Sequence, residues 1–196
     1  MILLGLSRSG KTSVGRLLAE QLGCSFYDTD KLIRLRTGLT PRELCRQAGL
    51  SALHAAEAAA LRECLSRDFA AVPQRVAALA GNTAQARTEI GAVIAAGGGI
   101  CDNAEAAAII AAVPQRVFLY ATEAVLFERL TRDALQTGYY PAFLRFLPAD
   151  QKAEARHLFT ELYTRRTELY RRSCNLIIDT AGLDCAAAAQ KIAEQC

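Results

Sequence analysis

Four short apolar runs, at residues 1–4, 92–95, 116–120 and 175–179, are separated by stretches in which apolar positions recur at helical spacing. Strands apolar along their whole length belong in a sheet covered on both faces, because a strand with one wet face would alternate polar and apolar positions. Residues 24–27 offer a fifth strand, which would end at Asp28 and Asp30. Ser13, Val14, Leu17, Leu18 and Leu22 lie at helical spacing just after the first run. Further helices are expected over 41–49, with Thr40 as N-cap and Pro41 in the first turn, over the alanine-rich 53–68, and over 123–133. Strand and helix alternating in this order predict an α/β fold, with a mainly parallel sheet and ligands gathered at the carboxyl ends of its strands. Two stretches break the rhythm. Pro73, Gly81 and Asn82 leave both helix and hairpin open over 72–89, and Gly138, Pro141 and Pro148 among aromatics and leucines predict a lid after the helix at 123–133.

A chain of 196 residues with 52% hydrophobic content fits one packed domain. The net charge of +3, with charged residues at 22%, gives no basic field of the kind nucleic acid requires, and suits a small anionic ligand better. No apolar run is long enough to span a bilayer, and no basic region precedes the first one, so a soluble cytoplasmic monomer that binds no nucleic acid or membrane is expected. The seven cysteines show no CxxC or CxxH spacing, which argues against a disulfide framework and a zinc site and predicts reduced, mostly buried thiols. Cys101 is expected near the ligand and open to alkylation.

The most specific signal is Gly5-Leu6-Ser7-Arg8-Ser9-Gly10-Lys11-Thr12, a complete P-loop between a strand and a helix. Its glycines let backbone N–H groups ring the phosphates, Lys11 brings a cation to the β/γ oxygens, and the Thr12 hydroxyl can ligate Mg²⁺. The helix that follows adds its N-terminal dipole. Gly5, Ser7, Arg8, Ser9, Gly10, Lys11, Thr12 and Ser13 are therefore the candidate nucleotide-binding residues.

Three further groups can do chemistry on that nucleotide. Asp28 and Asp30, two apart on an extended segment, share a side, so that one can serve the metal while the other meets an acceptor hydroxyl. The same two, Asp30 above all, could instead cap a helix beginning near Lys31. Gly97, Gly98 and Gly99 at a strand's end let a ligand approach the main chain. Arg129, Arg132, Arg165 and Arg166 can supply positive charge to a transferring phosphoryl group, though spacing singles out no pair among them.

Taken as a set, residues 5–12, Phe26-Tyr27-Asp28-Thr29-Asp30, Gly97-Gly98-Gly99-Ile100 and Arg166-Thr167-Glu168-Leu169-Tyr170, in this order, resemble the shikimate kinase family over nearly the whole chain. The resemblance implies a three-layer α/β sandwich of the P-loop kinase type, with a five-stranded parallel sheet in one domain over 1–196. It implies a substrate-binding segment at about 31–68 and a lid at about 134–150. The activity implied is transfer of the γ-phosphate of ATP, with Mg²⁺, to the 3-hydroxyl of shikimate, a step in aromatic amino acid biosynthesis. On that resemblance Lys11 and Thr12 hold phosphates and metal, Asp28 supports the metal shell, and Asp30 is the base for the acceptor hydroxyl. Arg132 lies over adenine; Gly97, Gly98 and Gly99 line the acceptor pocket; Arg166 holds the substrate carboxylate; and Glu57 orients the pocket.

The chain departs from the family at three places. His54 stands where the family has an arginine on the shikimate carboxylate, and a largely neutral imidazole cannot make the two-pronged contact of a guanidinium. Losing that contact would cost on the order of 2–4 kcal/mol of binding. Tyr140 replaces a lid arginine, with Arg145 as a substitute from the same lid, and Glu168 replaces the proline after Arg166. Shikimate is the first acceptor expected. The alternatives are the same chemistry on another small hydroxy acid or amino acid, such as homoserine, and an ATP-binding regulatory domain without transfer.

Overall fold

The computed structural model describes residues 1–79 and 90–196. Five strands, β1 (Ile2–Leu4), β2 (Ser25–Asp28), β3 (Ala92–Ala95), β4 (Arg116–Tyr120) and β5 (Leu176–Asp179), form one parallel sheet in the order β2-β3-β1-β4-β5. Helices α1 (Lys11–Leu22), α2 (Thr29–Thr37), α3 (Pro41–Leu79), α4 (Ala104–Ala111), α5 (Glu123–Thr137), α6 (Lys152–Ser173) and α7 (Cys185–Ala193) cover it. The strand assignments at 92–95 and 116–120 agree with the sequence pattern to the residue.

Alternation along the central strand builds the three layers. Ile2 and Leu4 point to one face, where they join Ile94, Phe118, Leu61, Ile110, Leu126 and Phe159, and Leu3 points to the other, with Val93, Val117, Val14, Leu18 and Ile192. Both faces are apolar because both are buried, as the continuous strand composition requires. A smaller cluster of Ile33, Leu44 and Ala60 fixes α2 against α3.

The two helices expected at 41–49 and 53–68 run together as α3, with Gly49 at φ 85° and ψ 173° bending the chain between them. Only a residue free of Cβ strain takes that conformation readily, which is why the sequence pattern breaks there. At the start of α3, the Glu43 amide donates to Thr40 Oγ1 at 3.2 Å and the Thr40 amide to Glu43 Oε2 at 2.8 Å, a capping box. Of the 72–89 stretch, 72–79 continues α3, and 80–89 lies outside the described residues. Helix α5 extends past the expected 133 to Thr137, where Gly138 in the left-handed region ends it. The segment expected to form a lid then closes on itself through an antiparallel bridge between Tyr139 and Pro148. Among the described residues no disulfide joins the cysteines, and no helix is long and apolar enough to cross a membrane.

Candidate active site

Parallel strands deliver their carboxyl ends to one edge, and there a cavity of about 1240 Å³ opens between the loop after β1, the start of α2, the turn after β3, α3 and α6. Ser7, Arg8, Gly10, Lys11, Thr12 and Ser13 line one end of it. The loop carries two residues in the left-handed region, Arg8 at φ 68° and Gly10 at φ 95°. Arg8 is held there from outside: its side chain pairs with Asp133 of α5, and Arg129 Nη1 donates to the Arg8 carbonyl at 2.8 Å. Gly5 and Ser9 lie behind the cavity wall, forming the loop rather than facing the space. Lys11 Nζ donates to Gly5 O at 2.8 Å and Leu6 O at 2.9 Å, which fixes the ammonium inside the loop. Burial lowers the Lys11 pKa to about 8, against the opposing pull of Asp30 and Asp28.

Asp28 ends β2 and does two things at once. Its Oδ2 accepts from Thr12 Oγ1 at 2.7 Å and its Oδ1 accepts from the Lys31 amide at 3.2 Å, so it is Asp28, not Asp30, that caps α2. The cap fixes the carboxylate beside the P-loop hydroxyl. Asp30, in the first turn of α2, is left without a capping duty and opens onto the cavity. Water reaches it there, yet the surrounding protein strips much of its hydration. That desolvation raises its pKa, the neighbouring Asp28 charge adds to the rise, and Lys11 opposes it.

The three glycines after β3 are required by the protein's own packing as much as by any ligand. A Cβ on Gly97 would stand 2.8 Å from Asp30 Oδ1, one on Gly98 2.6 Å from the Ser7 amide nitrogen, and one on Gly99 3.1 Å from Arg166 Nη2. The turn thus draws the P-loop, the acidic pair and α6 to a common point, and all three glycines line the cavity. Arg166, only 7% exposed, donates through Nε and Nη2 to Asp102 Oδ2 at 3.0 and 2.7 Å and through Nη1 to Gly98 O at 3.3 Å. Tyr170 Oη also donates to Gly98 O, at 3.1 Å. Glu57, buried on α3, accepts from Asn103 Nδ2 at 3.0 Å, and the same amide donates to His54 O at 2.8 Å. Burial raises the Glu57 pKa, and the Asn103 hydrogen bond partly offsets it. His54 lines the cavity on the same helix.

Two expected site residues lie elsewhere. Tyr140 is fully buried: its ring stacks on Phe127 at 6.1 Å and its hydroxyl lies 3.3 Å from Thr131 Oγ1, because a large aromatic ring gains more from the core than from the cavity. From the segment expected to form a lid, Thr137, Pro141 and Phe143 line the cavity instead, and Arg145 is exposed and outside its lining. Arg132 sits on the outer face of α5, paired with Glu128 at 2.9 Å, beside a separate groove of about 330 Å³. Cys101 is half-buried outside the lining, and burial pushes its thiol pKa up, which keeps it protonated and a poor nucleophile. The residues that sequence pattern did not reveal are Asp102, Asn103 and Asp133, each defined by a partner distant in the chain. Asn103 alone left a trace, as a helix N-cap before 104–111.

Fold and cavity together place the protein among the P-loop kinases, enzymes that pass the terminal phosphate of a nucleotide to an acceptor group. Within that class it belongs to the shikimate kinase family, whose family model matches residues 8–88 and 74–196. The shikimate kinase of Moorella thermoacetica is 31% identical over 194 residues, covering 99% of this chain and 92% of that protein. That of Syntrophus aciditrophicus is 28% identical over 193 residues, covering 95% and 85%. Among solved structures, the shikimate kinase from Acinetobacter baumannii in complex with shikimate superposes with a TM-score of 0.73 at 26% identity, covering 99% of this chain and 90% of that one. The enzyme from Bacteroides thetaiotaomicron shares the fold at the same TM-score of 0.73 and 23% identity, covering 99% and 96%.

Proposed function

We propose that this protein transfers the γ-phosphate of ATP to the 3-hydroxyl of shikimate. The observation that carries the reading is the placement of Asp30 on the wall of the same cavity as the P-loop, with Asp28 bound to Thr12 between them. Asp30 is positioned to accept the proton of an acceptor hydroxyl as that oxygen attacks phosphorus, and its raised pKa brings its basicity closer to what the task needs. Lys11, protonated below about pH 8, neutralises charge on the β/γ oxygens. Glu57 and Asp30 offer acceptors to the ring hydroxyls, and Arg165 and Arg166 bring positive charge to the same cavity.

The donors present suit Mg²⁺. Among the described residues no cluster of three His, Cys, Asp or Glu could hold a metal alone, and a hard cation that takes one or two protein oxygens together with nucleotide phosphates requires none. Thr12 Oγ1 and Asp28 Oδ2 would be the oxygens that hold it, and the ion would draw charge from the phosphates of a bound nucleotide.

The test is a pair of measurements on wild type and Asp30→Asn. The variant should lose shikimate-dependent ADP formation by about two to four orders of magnitude while calorimetry shows ATP binding unchanged within about twofold. Equal turnover in both proteins would remove Asp30 from the chemistry. Strong turnover with homoserine or another hydroxy acid and none with shikimate would reassign the acceptor.

A further inference from the structure

Asp102 ends the short 3₁₀ turn after the three glycines, opens onto the cavity, and has no part in the transfer just described. Its oxygens take two arginines at once. Arg165 donates through Nη1 to Oδ1 at 2.6 Å and through Nη2 to Oδ2 at 3.2 Å, and Arg166 donates through Nε and Nη2 to Oδ2 at 3.0 and 2.7 Å. The Nε–Nη2 edge of a guanidinium is one of those that grip a carboxylate with two parallel bonds, and in Arg166 that edge is already occupied. Its Nη1 is turned to Gly98 O, and its face lies 5.4 Å from the centre of the Phe143 ring. The second cation expected for an acceptor carboxylate is a histidine here, His54. The arginine pair keeps the Asp102 carboxyl below the usual carboxylate range although burial opposes it, so the competitor is charged throughout the working pH range.

We propose that Asp102 sets acceptor specificity by competing with the acceptor's own carboxylate for Arg166, so that this pocket selects its substrate mainly through hydroxyl groups and only weakly through charge. A carboxylate entering the cavity meets in Arg166 a guanidinium whose two-pronged edge is filled; it gains little there and faces repulsion from Asp102. The hydroxyls of the same acceptor meet Asp30 and Glu57, which the competition leaves untouched. Asp102 is thus a positioning residue that acts through Arg166. The inference rests on reading the cavity as a shikimate kinase site.

The experiment compares kcat/KM for shikimate with that for its ring carboxamide, which keeps the shape and the hydroxyls but lacks the charge, in wild type, Asp102→Asn and Asp102→Ser. Wild type should prefer the acid by less than about tenfold, and both substitutions should raise that preference by about tenfold or more, through the KM for shikimate rather than through kcat. A wild-type preference above about a hundredfold overturns the inference without any variant. So does an unchanged ratio in a folded variant, or an equal fall for acid and amide, which is what loss of a merely structural ion pair would produce. Calorimetric affinities for the two acceptors give the same ratio if turnover is absent. Failure of both acceptors to bind or react, with ATP bound normally, sinks the reading of the cavity and this inference with it; turnover of both with the wrong ratio sinks this inference alone.

Discussion

In the roles proposed for them, Lys11 and Asp30 bound the pH range in which this site can work, and they do so from opposite sides. Asp30 must be ionised to take a proton, and desolvation has moved its pKa upward, so turnover rises with pH through a value above the ordinary carboxylate range. Lys11 must be protonated to hold phosphate, and burial has lowered its pKa to about 8, so nucleotide affinity is full below that value and falls above it, by up to about tenfold per pH unit. A profile of kcat/KM for ATP should therefore be bell-shaped with its alkaline limb near 8, and calorimetric ATP affinity should follow that limb. A flat affinity between pH 7 and about 10 would contradict the assigned role of Lys11. At this scale the P-loop and the acidic pair could be read because their chemistry is local in sequence, whereas Arg166 stood out from the other arginines only through the family resemblance. Asp102 could not be read: its meaning comes from Arg166, 64 positions away. Tyr140 misled for the converse reason, since a lid position says nothing about which of its side chains turn inward.

Between elements, the glycine turn after β3 carries the most consequence for the least side chain. Gly98→Ala would place a methyl 2.6 Å from the Ser7 amide nitrogen, against backbone that cannot rotate aside. The expected cost is about 1–3 kcal/mol of stability in denaturant unfolding, with weakened ATP binding because the P-loop itself is pushed. Unchanged ATP affinity in that variant would show that the loop and the turn are not coupled. Asn103 joins two other elements: its Oδ1 accepts from the Ala106 amide at 3.2 Å to cap α4, and its Nδ2 holds Glu57 and the His54 carbonyl of α3. Asn103→Ala should cost about 1 kcal/mol through the lost cap, visible as a fall of roughly 2–4 °C in Tm. It should also raise the KM for the acceptor more than the KM for ATP, and an equal rise in both would make the residue purely structural. The inner strands β1, β3 and β4 were readable because both of their faces are buried, and the capping box because it is written in Thr40 and Glu43. The union of two helices across Gly49 was not, since a glycine at φ 85° looks in sequence like a terminus.

Across the whole molecule, strand order turns local motifs into one site. Placing β1 between β3 and β4 sets the P-loop beside the glycine turn, and β2 on the far side of β3 brings Asp28 and Asp30 to the same edge. The alternation of strands and helices foretold a parallel α/β sheet; which residues close the cavity depended on contacts between segments far apart in the chain, and periodicity carries no information about those. Whether this edge joins a triphosphate to an alcohol is decided by ³¹P NMR of a reaction containing ATP, Mg²⁺ and shikimate. The expected spectrum shows ADP together with a new phosphomonoester resonance coupled to the proton on carbon 3 of the ring, absent with Asp30→Asn. Inorganic phosphate as the sole new product, or unreacted ATP in the presence of demonstrated binding, would contradict the proposed transfer.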